Sequence, residues 1–239
     1  MTRQPDMNRY RRLVYQDYRA GTKQILRDSQ EEKWPYWVGV LGKKFIVYRN
    51  VFSPKYFNDT EFFARELPIM PGENVLEIGC GTGVIAIFAK HKGANKVVAA
   101  DINLAAVKNT KENVRLHKME DEINVRAGDV YEAIGENEKF DVIFWNIPFG
   151  FTENKKISNL EKSINDPGYK AVERFIKEGK NYLKNGGRLL IGFSTTLGKF
   201  ELIQKFVAEA NMSLRLLEET EPTELHPVKF EIFEVTPKQ

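Results

Sequence analysis

Three glycines at alternate positions, Gly79, Gly81 and Gly83, break the run Val-Leu-Glu-Ile-Gly-Cys-Gly-Thr-Gly-Val over residues 75–84. An apolar stretch, 74–78, enters the loop and an apolar helical stretch, 84–90, leaves it. Glycine tolerates positive φ and has no Cβ to hold a ligand away from the main chain. The following helix offers unpaired amides and the positive end of its dipole. Strand, glycine loop and helix in this order predict a nucleotide-type binding turn at the edge of a parallel sheet. Cys80 and Thr82 stand between the glycines, and Cys80 reads as a small filler because no base adjoins it. Acids recur further on. Residues 97–101, Val-Val-Ala-Ala-Asp, read as a second buried strand, with Ile102 after it. Asp101 lies 22 residues beyond Gly79, close to the spacing expected of a carboxylate that takes ribose hydroxyls. Asp129, with Val130 after it, follows a third short strand at 123–126. Acids at three successive strand ends (Glu77, Asp101, Asp129) are hard to explain by packing.

The glycine spacing is G-x-G-x-G, not the G-x-G-x-x-G of dinucleotide enzymes. With Glu77 two residues ahead of Gly79, it resembles the first motif of class I S-adenosylmethionine (SAM) methyltransferases. That resemblance implies SAM as cofactor. Gly79, Cys80, Gly81, Thr82 and Gly83 would form the cofactor loop and Glu77 would order it. Asp101 with Ile102 would serve the ribose, Asp129 with Val130 the adenine side, and Asn146 would border the cofactor.

A fourth strand, 140–145, ends in Asn146-Ile147-Pro148-Phe149. This looks like the (Asp/Asn/Ser)-Pro-Pro-(Tyr/Phe) motif of SAM enzymes that methylate the nitrogen of a planar amide or amino group, including HemK-type glutamine methyltransferases. A planar NH2 shares its lone pair with a π system and is a poor nucleophile. Two acceptors on its hydrogens favour rehybridisation, and Asn146 Oδ1 and the Ile147 carbonyl are the candidates. Phe149 would stack on the flat acceptor. Pre-placed groups of this kind contribute a few kcal/mol, and holding nitrogen and methyl in line gives much of the rest. Ile147 stands where proline is usual, so the φ restraint is lost while the carbonyl survives. Upstream, Val51–Pro54 and Asp59–Phe63 resemble the HemK-type segment that lines both pockets.

These residues need a scaffold. Strands and helices alternate from residue 74: strand 74–78, helix 83–91, strand 96–100, helix 103–117 with Leu104, Val107 and Val114 on one side, strands 123–126 and 140–145 around a helical piece near 130–134, helix 168–183 capped by Asn185-Gly186-Gly187, strand 188–193 and helix 198–210. Strands 213–219 and 228–235 can close the chain as an antiparallel hairpin. The alternation calls for an α/β fold, a Rossmann-like seven-stranded sheet, mostly parallel with an antiparallel C-terminal strand and helices on both faces. Before it, 7–27 reads as a helix, 36–52 as a hairpin, and Asp59 as the N-cap of a further helix. Residues 1–50 then form an N-terminal basic helix and hairpin extension, and 51–239 the methyltransferase domain.

Composition narrows the classes. The chain has 239 residues, 42% of them hydrophobic, enough for a core. No apolar run approaches the roughly 20 residues needed to span a membrane, and the N-terminus lacks a signal peptide's apolar stretch. One cysteine excludes an internal disulfide, which makes the cytoplasm the default compartment. His91, His117 and His226 lack metal-ligand spacing. Net charge is +3, yet residues 1–27 carry seven basic against two acidic residues. Such an excess suits an anionic partner. The acceptor expected is a protein glutamine. The alternative is an RNA base (adenine N6 or guanine N2), flipped and stacked on the aromatic, with Lys155, Lys156 and Lys162 extending a phosphate path. A SAM-binding protein without catalysis is a further alternative. An NAD-dependent oxidoreductase is disfavoured by the glycine spacing. No DNA partner is expected.

Overall fold

The computed structural model describes residues 18–222 and 228–238. Helix α1 (Tyr18–Ser29) precedes a hairpin of β1 (Tyr36–Val40) and β2 (Lys43–Val47). Helix α2 (Asp59–Glu66) leads into the alternating core: β3 (Asn74–Ile78), α3 (Val84–His91), β4 (Lys96–Asp101), α4 (Leu104–Leu116), β5 (Ile123–Ala127) and β6 (Phe140–Asn146). Two short strands, β7 (Gly150–Thr152) and β8 (Asn165–Pro167), pair in parallel. Helix α5 (Lys170–Gly179), β9 (Leu183–Phe193), α6 (Phe200–Glu209), β10 (Met212–Glu219) and β11 (Glu231–Pro237) complete the described chain.

Seven strands form one sheet in the order β10-β11-β9-β6-β3-β4-β5. β9, β6, β3, β4 and β5 run parallel, and β11 is antiparallel to both of its neighbours. Helices cover both faces, so the inner strands read as unbroken apolar runs. Val75, Leu76 and Ile78 of β3 and Val142, Ile143 and Phe144 of β6 are all buried. Two apolar clusters result. One lies under α5 and α6 and contains Ile143, Phe175 and Ile203. The other lies under α2 and α3 and contains Phe63, Ile87 and Phe144.

Several local expectations are corrected. Residues 130–134 form turns, not a helical piece. The helix expected over 168–183 ends at Gly179 and runs into a 3-10 turn at Lys180–Tyr182. Asn185-Gly186-Gly187 does not cap it. These residues lie within β9, where the register against β6 shifts between Phe140 and Val142, and Gly186 takes φ +78°. The glycines let the strand bulge out. Leu104 is 70% exposed, whereas Val107 and Val114 face the core. The pair β7–β8 was not legible in three-residue segments without alternation. The part of the 7–27 helix before Tyr18, His226, and the Thr223 side of the final connection lie outside the described residues.

The β1–β2 hairpin is bound to the sheet's flank by side chains of α4. Asn113 accepts from Ile46 N–H (2.8 Å), Asn109 accepts from Tyr48 N–H (2.7 Å), and both donate to the Ile46 carbonyl. Phe45 is fully buried in the same cluster as Val84 and Ile87.

Candidate active site

From β3 the chain passes to β4 and β5 on one side and then returns to place β6 on the other. Connections part between β3 and β6, where the carboxyl ends of such a sheet leave a crevice. A cavity of about 630 Å³ occupies that position. Glu77 and Gly79 reach it from β3, Asp101 and Ile102 from β4, and Asn146 and Pro148 from β6.

The glycine loop is built for a close main-chain approach. Gly79, Gly81 and Gly83 have φ of +68°, +55° and +79°. A Cβ on Gly79 would stand 2.7 Å from Trp145 Nε1. Gly79, Cys80, Gly81 and Thr82 line the cavity. Gly83 does not, contrary to expectation. It begins α3, and a Cβ there would meet Thr110 Cγ2 at 2.7 Å, so its small size serves helix packing. The loop is held from behind by α4. Thr110 Oγ1 donates to the Gly81 carbonyl (3.0 Å) and Asn113 Nδ2 to the Thr82 carbonyl (2.8 Å). These buried polar residues escaped the sequence reading, although polar side chains among Ala106, Val107 and Val114 on the helix's inner face were a usable signal.

Asp101 is buried and carries two main-chain donors, Gly81 N–H on Oδ2 (2.9 Å) and Asn103 N–H on Oδ1 (2.8 Å). Burial outweighs those bonds and pushes its pKa up to about 6. Glu77 is buried with Oε2 unpartnered, and burial first, then Asp101, pushes it well above the usual carboxylate range, against the pull of the Ala86 N–H. Asp129 and Val130 also line the cavity. Asp129 is paired there, since Arg174 Nη1 donates to its Oδ2 (2.9 Å) and Nη2 to its carbonyl (3.0 Å). Burial raises the Cys80 thiol, in keeping with an inert filler.

At the end of β6, Asn146 Nδ2 donates to Asp59 Oδ2 (2.9 Å). Asn146 Oδ1 is buried and has no partner among the described residues. An unmade bond at a buried acceptor costs about 1–3 kcal/mol, a penalty a bound N–H donor would relieve. Asp59 was expected as an N-cap. Instead Asn58 precedes the helix, and Asp59 turns inward. Ile147 and Phe149 do not line the cavity, a second departure from expectation. Ile147 is buried in the core beneath α5, and its N–H donates to the Gly192 carbonyl (3.1 Å), extending the β6–β9 ladder. No hydrogen bond among the described residues reaches its own carbonyl. Phe149 packs edge-on against Phe193 at 5.9 Å, and Tyr169 donates to its carbonyl. Phe52, stacked on Phe57 at 4.2 Å, faces the cavity from the upstream segment, together with Thr60 and Phe63.

The methyltransferase small domain model matches residues 42–216. A provisionally named protein N5-glutamine methyltransferase of Methanocaldococcus jannaschii is 37% identical over 172 residues, covering 70% of this chain and 84% of that protein. This chain belongs to the methyltransferase small domain family. A release factor glutamine methyltransferase of Aquifex aeolicus is 30% identical over 188 residues, 72% of this chain and 66% of that one. Among solved structures, the T. thermophilus 16S rRNA N2 G1207 methyltransferase in complex with AdoMet and guanosine superposes with a TM-score of 0.61. It is 19% identical, and the match covers 85% of this chain and 50% of that one, a likeness of fold.

This methyltransferase uses SAM, and its cavity suits that cofactor on physical grounds. Gly81 has open space where a Cβ would stand, so its main chain can be approached closely. Glu77 Oε2 is buried and has no hydrogen-bond partner among the described residues. Asp101, expected to take the ribose, retains lone pairs beyond its two main-chain bonds. No group of three His, Cys, Asp or Glu among the described residues could hold a metal ion. No described helix is long and apolar enough to cross a membrane.

Proposed function

We propose that this methyltransferase modifies the side-chain amide nitrogen of a glutamine in a protein, within the cytoplasm. The observation that carries the proposal is Asn146 Oδ1, a buried acceptor at the end of β6 with no donor among the described residues, beside the glycine loop's cavity. Bound SAM supplies an electrophilic methyl on sulfur. The chain's own residues prepare the nitrogen. Asn146 Oδ1 accepts one amide hydrogen, which holds the NH2 in place and draws its lone pair out of conjugation. The Ile147 carbonyl, which accepts no hydrogen bond among the described residues, is the candidate for the other, although the residue itself is not part of the cavity wall. Glu77, Asp101, Asp129 and the loop from Gly79 to Thr82 hold the cofactor. Phe52 and Pro148 offer apolar wall to the glutamine's methylene stem.

Two observations favour an amide over a base. Both named relatives are glutamine methyltransferases. Phe149, the expected platform for a flipped base, is half-buried against the core and does not line the cavity. The RNA reading has support of its own, because Lys155, Lys162 and Lys170 line the cavity. Tritiated-methyl transfer into a cell lysate, followed by protease or ribonuclease, separates the readings. Label should survive ribonuclease, be released by protease, and appear as volatile methylamine after acid hydrolysis. Label in RNA would overturn the glutamine assignment, and SAM binding without any transfer would overturn catalysis.

A further inference from the structure

The Asn146 side chain has two chemically opposite ends of nearly equal shape. Turned one way it offers an oxygen that accepts, and turned the other an NH2 that repels an incoming N–H. Sequence cannot say which end is presented, and β6 alone does not choose. The choice comes from Asp59, 87 residues earlier on the first turn of α2 and 4% exposed. Among the described residues its carboxylate meets donors: Asn146 Nδ2 at 2.9 Å, Thr60 N–H at 2.8 Å, Thr60 Oγ1 at 3.5 Å and its own main-chain N–H. Burial raises the Asp59 carboxyl above its ordinary value, and these donors pull it back down. Ionised, the group only accepts, so it takes the Nδ2 end and leaves Oδ1 on the other side. Oδ1 is then the end left without a partner.

We infer that Asp59 is a positioning residue for methyl transfer: its carboxylate fixes which end of Asn146 meets the acceptor's NH2. The inference rests on the amide-methylation reading above and adds to it the group that sets the polarity of the catalytic asparagine. Asp59 does not touch the acceptor and acts through Asn146. Oδ1 exposes essentially no surface, so the acceptor N–H reaches it when the surrounding wall gives way slightly, and the buried, unpaired oxygen favours that exchange. In Asp59→Ala nothing holds Nδ2, and both ends of Asn146 become available. In Asp59→Asn the amide accepts or donates, and the polarity is again undefined while the volume is kept.

The test uses the full chain. Transfer of tritiated methyl to lysate protein should fall by about a hundredfold in Asp59→Ala, the scale of a misplaced catalytic group, and clearly in Asp59→Asn. SAM affinity by calorimetry should stay within about threefold. In the Asn146→Ala background, Asp59→Ala should cost nothing further. An equal additional loss there would overturn the inference, because Asp59 would then act independently of Asn146. A second readout needs no acceptor. In 15N-resolved spectra of the free protein, the Asn146 side-chain amide, assigned by its loss in Asn146→Ala, should show one slowly exchanging proton. That protection should vanish in Asp59→Asn and Asp59→Ala, and its persistence would overturn the inference. Full transfer by Asn146→Ala would overturn the underlying reading and this inference with it, and is recognisable because it does not involve Asp59.

Discussion

Gly81 N–H donates to Asp101 Oδ2 across 2.9 Å, tying the middle of the glycine loop to the acid at the end of the neighbouring strand. The bond links β3's loop to β4 and keeps the loop open toward the cavity before any cofactor arrives. It also leaves Asp101 committed to a buried position where its charge is costly, which gives the site a pH dependence.

With Asp101 pushed up to about 6 by burial, the folded protein holds its proton to higher pH than the unfolded chain does. Its contribution to stability is therefore present below about pH 4 and is lost as pH rises through about 6. Cofactor binding should run the other way, because the ionised carboxylate is the better acceptor for ribose hydroxyls. SAM affinity should fall as pH drops from 7.5 to 5. Calorimetry on the wild type and Asp101→Asn should show that the slope belongs to this residue: the variant binds weakly throughout and loses most of it. An unchanged slope would remove Asp101 from the ribose role.

Gly79→Ala and Gly83→Ala should separate binding from packing. Each places a Cβ 2.7 Å from a neighbour at positive φ, so each should lose about 1–3 kcal/mol by denaturant melting. Gly79 lines the cavity, and its variant should also weaken SAM binding by about tenfold or more. Gly83 does not, and its folded fraction should bind SAM almost normally. Equal binding losses would refute the distinction.

Ile147→Pro restores the proline of the resembled motif but should harm this protein. It removes the N–H that bonds the Gly192 carbonyl and withdraws a buried side chain from the core. A loss of about 2–4 kcal/mol in urea melts is expected. Neutral or increased stability would show that the ladder bond contributes nothing.

Asn146→Ala should reduce single-turnover methyl transfer by about a hundredfold, the scale of losing one pre-placed polar group. SAM binding should change little. Undiminished turnover would take Asn146 out of the chemistry.

Much of this was readable in one dimension. The strand 74–78 and the acids at 101 and 129 stood out because a buried parallel strand is a continuous apolar run and glycine at alternate positions has few other uses. The switch point between β3 and β6 came only with the strand order in the sheet. Three things were not readable. Phe149 resembled a stacking residue, yet Tyr169 and Phe193 hold that segment against the core. Asn185-Gly186-Gly187 resembled a helix cap, yet pairing with β6 makes it a bulge in a strand. Asn109, Thr110 and Asn113 looked like ordinary helix polar residues until β2 and the glycine loop came to lie against them.

Local chemistry written in consecutive residues therefore determined the fold class and singled out the glycine turn and Asn146, because periodicity and glycine freedom act over a few residues. The three-dimensional packing decided the rest. It paired Asp59 with Asn146, occupied Asp129 with Arg174, buried Ile147 and packed Phe149 against the core, since hydrogen-bond polarity and burial depend on which distant segments meet, and short-range patterns carry no record of that.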